Sequence, residues 1–356
     1  MPFNKEYKMK IEKLFGEIKN NIWGGMKLKE KYGKKGNVEP FAESWELSFH
    51  PSGKCRISTG ETLESVATEK DLGTNVLSFD RFPVLNKFID AKDNLSLQVH
   101  PSDDYALKYE NSYGKTEMWY IVEADEGAGI YLGFKEDTTK EAYEKAIKEN
   151  TLTDLLKFYE VKAGESYFIP SGTVHAIGTG CLIYEIQQNS DLTYRVYDYD
   201  RRDKFGNPRE LHIEKALLVS DLKRYENKTP SYDVIGRSKY FTVTKKEIDG
   251  IYIDSTDSTT FKAVTVLSGC GEIDGQKISL GDTLFVPANY GNFEVKGNMT
   301  LVITEIRKYY ASHDSDTVSI KDDLGNVVAS RKKDGNVELL IDSLLSSLNM
   351  SKSDLS

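Results

Sequence analysis

The sequence has 356 residues, of which 39% are hydrophobic and 29% are charged, and its net charge is −9. This length is enough for one large core or for two to three domains. An acidic chain is not attracted to nucleic acid or to anionic lipid by its overall charge, so we expect neither as a partner.

Targeting and redox features predict a cytoplasmic protein. No segment approaches the roughly 20 apolar residues that a membrane helix needs. The N-terminal segment lacks the apolar stretch of a secretory signal. The three cysteines, Cys55, Cys181 and Cys270, form no CxxC pair, which is typical of a reducing compartment.

The first informative element is the strand "LSLQVHP", residues 95–101. Its apolar residues alternate with Ser96, Gln98 and His100, so these three polar residues share one face. Side chains at i and i+2 on a strand lie side by side, so Gln98 and His100 can reach the same point. If both faces of this strand are covered, the polar face needs partners inside the protein.

Two further residues fit a metal site with this pair. Glu117 lies in "GKTEMWY" and His175 in "PSGTVHAIG". Two imidazoles, a carboxylate and an amide oxygen suit Zn²⁺, and Mn²⁺, Co²⁺ or Fe²⁺ would also fit. The alternative for each histidine is a structural, hydrogen-bonded role.

Most of the chain consists of short strands separated by turn residues, which favours an antiparallel sandwich or jelly roll. Helical periodicity interrupts this pattern at about 138–157, where Thr138 and Glu141 have the spacing of a capping box. A second helix is predicted at about 212–221. The polar segment that follows places a domain boundary near 225–235.

An internal similarity indicates two related β-domains. "VKAGESYFIPSGTVHAIGTG" (161–180) resembles "ISLGDTLFVPANYGNFEVKG" (278–297). Gly164 corresponds to Gly281, and His175 corresponds to Asn292, so we expect only the first domain to bind a metal. The alternative is that both segments share ordinary jelly-roll turn chemistry without common ancestry.

We therefore divide the chain into a metal-binding domain (1–230), a metal-free β-domain (231–310) and a C-terminal extension (311–356). The extension has no assigned function. Its sequence pattern predicts a hairpin around Leu324, Gly325 and Asn326, followed by an amphipathic helix. We expect five leucines on one side of that helix: Leu339, Leu340, Leu344, Leu345 and Leu348. The segment faintly resembles the opening of a ROK-type sugar kinase, which would make it a fusion remnant; the alternative is an extension that packs on the second domain.

Cationic residues lie close to the candidate ligands in sequence. Lys115 precedes Glu117 by two residues, and Asp191, Thr193 and Arg195 share a face if their segment is extended. A lysine and an arginine over a metal site indicate an anionic substrate or intermediate. The alternative for Arg195 is a salt bridge to a nearby acid such as Asp198.

These motifs together resemble the type I phosphomannose isomerase family, in a short form without a large helical insertion. The resemblance covers roughly residues 15–310, and the segments that carry it are "FAESWELSFHPSG" (41–53), "PVLNKFIDAKDNLSLQVHPSDDYA" (83–106), "GKTEMWYIV" (114–122), "YFIPSGTVHAIG" (167–178) and "SDLTYRVYDYDR" (190–201).

The resemblance implies two cupin-type jelly-roll domains and one bound zinc. It assigns the zinc ligands to Gln98, His100, Glu117 and His175. It assigns the active-site arginine to Arg195, with Asp191 four residues before it. The remaining family elements fall on four residues that we expect to contact substrate or complete the site: Trp23, Glu43, Lys87 and Lys115. Longer members carry His-Lys-Pro-Glu before the aromatic strand, and the position of that histidine is Gly114 here.

The implied reaction is the reversible isomerisation of mannose 6-phosphate to fructose 6-phosphate through a cis-enediolate. We expect Arg195 to stabilise the enediolate, and Lys87 and Ser96 to hold the phosphate. Lys115, Asp191 or a metal-bound water remains a candidate for the proton-transferring base. The alternative functions are a metal-dependent cupin oxygenase and a sugar-phosphate-binding regulatory cupin, and the oligomeric state is a monomer or a homodimer.

Overall fold

The computed structural model describes residues 8–202, 205–227, 233–348 and 350–356. The mainly β fold predicted from the sequence is confirmed, with antiparallel strands grouped in several sheets. In chain order the strands are β1 Glu12–Leu14, β2 Glu17–Lys19, β3 Glu43–Leu47, β4 Phe49–His50, β5 Gly53–Lys54, β6 Val84–Ala91, β7 Leu97–Val99, β8 Glu117–Ala124, β9 Gly129–Phe134, β10 Leu156–Glu160, β11 Ser166–Ile169, β12 His175–Ile177, β13 Cys181–Gln188, β14 Tyr194–Tyr197, β15 Val234–Arg237, β16 Thr242–Thr256, β17 Lys262–Ile273, β18 Gln276–Ser279, β19 Thr283–Val286, β20 Gly291–Glu305, β21 Tyr309–His313, β22 Thr317–Asp322 and β23 Val327–Lys332. The α-helices are α1 Lys27–Glu30, α2 Leu63–Val66, α3 Glu69–Leu72, α4 Asp103–Tyr109, α5 Lys140–Lys148, α6 Leu152–Leu155, α7 Ile213–Val219 and α8 Val337–Ser347.

Contacts group the chain into two compact units. One comprises Gly16–Gly53 and Val84–Thr229, and the other comprises Met1–Phe15, Lys54–Pro83 and Pro230–Ser356. Short N-terminal segments therefore belong with the C-terminal part of the chain. The assignment of functions to 1–230, 231–310 and 311–356 stays a prediction. In the described residues, no helix is long and apolar enough to cross a membrane.

The unit that contains the predicted site is a β-sandwich. Its six-stranded sheet has the order β11-β8-β13-β6-β3-β2, and its five-stranded sheet has the order β10-β9-β12-β7-β14. Ile121 and Ile183 of the first sheet share one buried cluster with Ile130 and Ile177 of the second. The two sheets therefore pack face to face over a common core.

The five-stranded sheet is covered on its other face as well. Leu97 and Val99 of β7 pack there against apolar residues of α5 and α7, including Tyr143 and Ala216. Because the apolar side of β7 meets these helices, its polar side faces the inside of the sandwich. The condition set by the sequence, that both faces of this strand are covered, is met.

The single helix predicted near 138–157 is two helices in the structure, α5 and α6. Thr139, rather than Thr138, caps α5, because its side chain accepts the amide hydrogen of Ala142. The amide of Thr138 donates instead to the carbonyl of Leu222. The chain turns at Asn150, whose φ is 57°, before it forms the short helix α6.

The other unit is built on a sheet of order β1-β19-β17-β20-β16-β15, with β18 added to β17. A row of glycines crosses three neighbouring strands, since Gly297 pairs with both Gly250 and Gly271. Residues from both halves of β20, such as Phe293 and Ile303, contribute to one buried cluster. Glycine kinks of this kind let long strands curve around a core.

The internal similarity extends to turn geometry. Gly164 and Gly281 have left-handed φ values of 96° and 87°. The next residue in each case, Glu165 or Asp282, accepts a backbone amide from three residues earlier at 2.9 Å. This shared turn is local chemistry, and the proposed duplication stays a prediction.

The C-terminal segment forms the predicted hairpin, as a sheet of order β21-β22-β23, and the helix α8. Leu340, Leu344 and Leu345 are buried with the sheet. The placement of Leu339 on that side is wrong, because it is 68% exposed. The segment contacts the second β-domain directly. The amide of Lys239 donates to Asp354 Oδ1 at 3.0 Å, and Arg307 forms an ion pair with Asp323 at 3.6 Å.

The glycine row generates a stability prediction. A Cβ atom at Gly297 would lie 2.5 Å from the carbonyl oxygen of Cys270, and its φ is 147°. We expect Gly297→Ala to lower the free energy of unfolding by about 2–3 kcal/mol in urea denaturation. The matched control is Gly335→Ala, where nothing lies within 4 Å. Equal midpoints for the two variants would contradict a structural requirement for glycine at 297.

Candidate functional site

Predicted metal ligands converge inside the sandwich. His175 Nε2 lies 3.3 Å from Glu117 Oε1, and His100 Nε2 lies 3.6 Å from Glu117 Oε2. Gln98 pairs with His175 across neighbouring strands, and its amide nitrogen lies 3.3 Å from His175 Nε2. A flip of this amide would present its oxygen at the same place. The structure thus brings together all four predicted ligands.

Backbone carbonyls orient both imidazoles. His100 Nδ1 donates to the carbonyl of Leu192 at 2.9 Å, and His175 Nδ1 donates to the carbonyl of Thr173 at 2.8 Å. A carbonyl only accepts, so each Nδ1 carries the hydrogen and each Nε2 presents a lone pair to the centre. Burial lowers the pKa of both rings, that of His175 to about 4. Both rings are therefore neutral near pH 7, the form that binds metal.

The carboxylate of Glu117 is fully buried. Neither of its oxygens has a well-formed hydrogen-bond partner among the described residues, although Lys115 Nζ lies 2.8 Å from Oε2. Burial, followed by the nearby charge of Glu185, raises the pKa of Glu117. A buried carboxylate with so few partners is costly. A divalent cation between Glu117 and the two Nε2 atoms would satisfy it, so the residues fit a metal.

Two lysines and two further carboxylates surround this centre. Lys87 Nζ lies 3.0 Å from Glu185 Oε1 and 3.3 Å from Glu43 Oε2. Lys115 Nζ lies 3.6 Å from the same Glu185 oxygen, and Trp119 donates to the other at 2.8 Å. Burial lowers the pKa of Lys87, but the carboxylates outweigh it and raise that pKa above its usual value. Lys87 is therefore a fixed positive charge between two negative ones.

A cavity of about 130 Å³ opens next to the metal ligands. Seven of the predicted site residues line it: Trp23, Glu43, Lys87, Ser96, Gln98, Lys115 and Arg195. The wall also includes Asn21, Ile89, Leu95, Ile177, Glu185, Thr193 and Arg209. Most of these residues are polar, and charges of both signs are present. The site is therefore suited to a small, highly polar ligand.

Arg195 lies close to the metal ligands, because it pairs with Gln98 across β14 and β7. Its guanidinium donates to the carbonyl of Glu210 at 2.9 Å, and its Nε has no hydrogen-bond partner in the described part of the chain. The salt bridge to Asp198 weighed from the sequence does not form. Asp198 instead accepts from Arg209 Nε at 2.7 Å and pairs with Arg201.

Asp191 is outside the lining of the cavity. Its carboxylate lies 3.2 Å from Ser52 Oγ and 3.6 Å from His50 Nε2. The strand β14 begins at Tyr194, so Asp191 lies before it and strand alternation does not relate it to Arg195. A catalytic role for Asp191 stays a prediction.

Sequence reasoning missed two charged residues of this wall. Glu185 interrupts the apolar strand β13, where its register places it opposite Lys87 and Trp119. A carboxylate in such a strand is a signal that could have identified it. Arg209 gave no local signal, because only the return of the chain after β14 brings it to the cavity.

Comparisons with known families agree with this geometry. The family model for "Phosphomannose isomerase type I, catalytic domain" matches residues 11–128. The model for "Mannose-6-phosphate isomerase, cupin domain" matches residues 234–306.

Individual relatives match over most of their length. A mannose-6-phosphate isomerase of Streptococcus mutans is 37% identical over 306 residues, which cover 81% of this chain and 96% of that protein. The mannose-6-phosphate isomerase ManA of Bacillus subtilis is 35% identical, with 84% and 100% covered. A crystal structure of mannose 6-phosphate isomerase from Bacillus subtilis aligns with a TM-score of 0.76 at 34% identity, covering 83% of this chain and 99% of that one. The chain therefore belongs to the type I phosphomannose isomerase family.

Proposed function

We propose that this enzyme interconverts mannose 6-phosphate and fructose 6-phosphate in the cavity beside His100, Glu117 and His175, with Gln98 as a fourth ligand. The observation that carries the proposal is the fully buried Glu117, which faces two oriented imidazoles and whose close ion pair is with Lys115 at 2.8 Å. Family membership supplies the substrate class. A sugar-phosphate substrate is consistent with a cytoplasmic location.

Zinc is the metal that best fits this ligand set, although Mn²⁺, Co²⁺ or Fe²⁺ also accept two histidines and oxygen ligands. When bound, the ion would polarise the oxygens on C1 and C2 and stabilise the negative charge that develops there. The part of the cavity beside the metal ligands carries more negative than positive side chains. Lys87 and Lys115 face three carboxylates, Glu43, Glu117 and Glu185, which favours a cation.

Positive side chains outnumber carboxylates in the part of the cavity wall around Arg195 and Arg209. Arg195 and Arg209 line the cavity, and the charges of Arg209 and Arg201 both act on Arg195. Asp198 is the one carboxylate that pairs with Arg201 and Arg209 among the described residues. Burial, together with the charge of Arg209, lowers the pKa of Arg195. Surplus positive charge in a partly buried wall favours an anionic group, and a phosphate dianion has the matching charge.

This distribution of charge orients the substrate. Arg201 donates to the carbonyl of Asn94, while Gln98 lies at the metal end of the same chain segment. Ser96 is midway, so about 6.6 Å of extended chain separates it from Gln98. We therefore place the phosphate near Ser96 and Arg209, which line the cavity, and C1 and C2 near Gln98. Lys87, which the sequence favoured for phosphate, pairs with two carboxylates, Glu43 and Glu185, whereas Arg209 and Arg201 share the single carboxylate of Asp198.

Proton transfer between C2 and C1 needs one group that removes the proton and returns it on the same face. We assign this step to Lys115. Its Nζ lines the cavity, lies 3.2 Å from His100 Nε2 and so stands beside the metal end. It must lose a proton before it can act as the base. Arg195, next to Gln98, would stabilise the enediolate oxygens, and Asp191 stays the alternative base.

Metal removal tests the proposal directly. We expect chelator-treated enzyme to lose isomerase activity in a coupled assay and to regain it with Zn²⁺, since the metal stabilises the developing charge. His175→Asn should bind no stoichiometric zinc by elemental analysis, whereas His313→Asn, an exposed histidine of the tail, should bind normally. Activity that persists in fully metal-free protein would refute the proposal.

The raised pKa of Glu117 predicts proton release on metal binding. Its carboxyl group retains a proton to higher pH than usual, and the metal needs the carboxylate form. The zinc affinity of the metal-free protein should therefore rise between about pH 5 and pH 8. The imidazoles contribute little to this rise, because burial keeps them neutral there. Calorimetry in two buffers of different ionisation enthalpy measures the released proton, and its absence would contradict the assignment.

The two ends of the cavity predict different kinetic defects. Arg209→Met should raise KM for mannose 6-phosphate about 10-fold or more with little change in kcat, because it removes a charged phosphate contact. Arg195→Met should lower kcat about 100-fold. Arg202→Met, an exposed arginine of the same segment, is the control for both. Identical KM values for wild type and Arg209→Met would place the phosphate elsewhere.

A further inference from the structure

His50 and Ser52, near the end of the first of the two chain segments that form the sandwich unit, contact the residues just before β14. His50 Nε2 lies 3.6 Å from Asp191 Oδ1, and Ser52 Oγ donates to Asp191 Oδ2 at 3.2 Å. Each carboxylate oxygen of Asp191 thus has its own neighbour. These contacts lie outside the cavity lining, so they belong to neither the metal centre nor the arginine wall.

His50 is held so that one particular nitrogen faces Asp191. The backbone amide of Ser52 donates to His50 Nδ1 at 3.1 Å, so the neutral ring carries its hydrogen on Nε2. The edge-on ring of Trp45, with its centroid 5.6 Å away, packs against the imidazole. The ring is 8% exposed. Its Nε2 faces Asp191 Oδ1 across 3.6 Å, which is longer than a hydrogen bond, so the contact is an electrostatic one.

The segment that receives these contacts carries parts of the site on either side of Asp191. The carbonyl of Leu192 accepts from His100 Nδ1 and so sets the orientation of that ring. Thr193 lines the cavity. The segment has no regular secondary structure. Its start is held at Ser190, whose Oγ donates to the carbonyl of Tyr113 at 2.8 Å and whose carbonyl accepts from Gln187 Nε2 at 2.6 Å.

We propose that His50 and Ser52 are positioning residues, which fix the backbone at Asp191 and Leu192 and thereby aim His100 Nε2 at the metal. This inference rests on the proposed metal site. Outer groups that orient a histidine ligand affect metal affinity, because a ring that is free to turn loses part of its binding energy on being fixed. Asp191 acts here through its side-chain contacts, whichever group moves the proton.

The test measures zinc affinity of the metal-free protein by competition with a chromogenic chelator. His50→Phe retains a ring against Trp45 but removes both nitrogens, and Ser52→Ala removes one exposed hydroxyl. We expect His50→Phe to weaken zinc binding about 10-fold, and Ser52→Ala to weaken it by a smaller factor. His313→Phe is the control and should bind as wild type. Hydrogen exchange should be faster at residues 190–193 in His50→Phe.

Asp191→Leu completes a double-mutant cycle. If His50 acts through Asp191, the double variant should bind zinc no more weakly than the weaker single variant. Zinc affinities of His50→Phe and Ser52→Ala within twofold of wild type would overturn the positioning role. If His50→Phe fails to fold, Ser52→Ala alone decides by the same criterion. A wild-type protein that binds no zinc would refute the proposed function as well, whereas an unaffected set of variants in an active enzyme would refute this inference alone.

Discussion

The carboxylate of Glu117 constrains the rest of the site. A fully buried carboxylate is costly to keep ionised unless positive charge lies next to it. Lys115 supplies part of that charge at 2.8 Å, and the two imidazole lone pairs create a place for a cation. Glu185 in turn compensates both Lys115 and Lys87. The alternation of charges through the inner face of the six-stranded sheet follows from this requirement.

Strand register lowers the free-energy cost of burying these charges, because it fixes each polar side chain opposite its partner. Glu185 pairs with Lys87 on one side and with Trp119 on the other, while Gln98 pairs with His175. Helices cover the outer face of the five-stranded sheet, so the apolar side of β7 is buried too. A strand buried on both faces has few alternative registers, because a slip of one residue would exchange its polar and apolar sides.

The second β-domain has the same turn as the first but lacks the metal-ligating side chain that follows it. Its turn at Gly281 reproduces the turn at Gly164, including the carboxylate that accepts a backbone amide. The position of His175 is taken by Asn292. Among the described residues, the group of side chains that can hold a metal is the one in the first sandwich. The same local fold thus recurs while the metal-binding chemistry belongs to particular side chains.

The sequence alone determined the features that depend on short spacing. Strand alternation placed Gln98 beside His100 and Lys115 beside Glu117, and repeated motifs gave the β class and the family. It missed Glu185 and Arg209, and it did not show that β14 begins after Asp191 or that Lys87 pairs with Glu43 and Glu185. Each of these depends on which distant strands become neighbours and where a strand begins. Local periodicity specifies which face a side chain occupies, but only long-range pairing decides which charges it meets across the sheet.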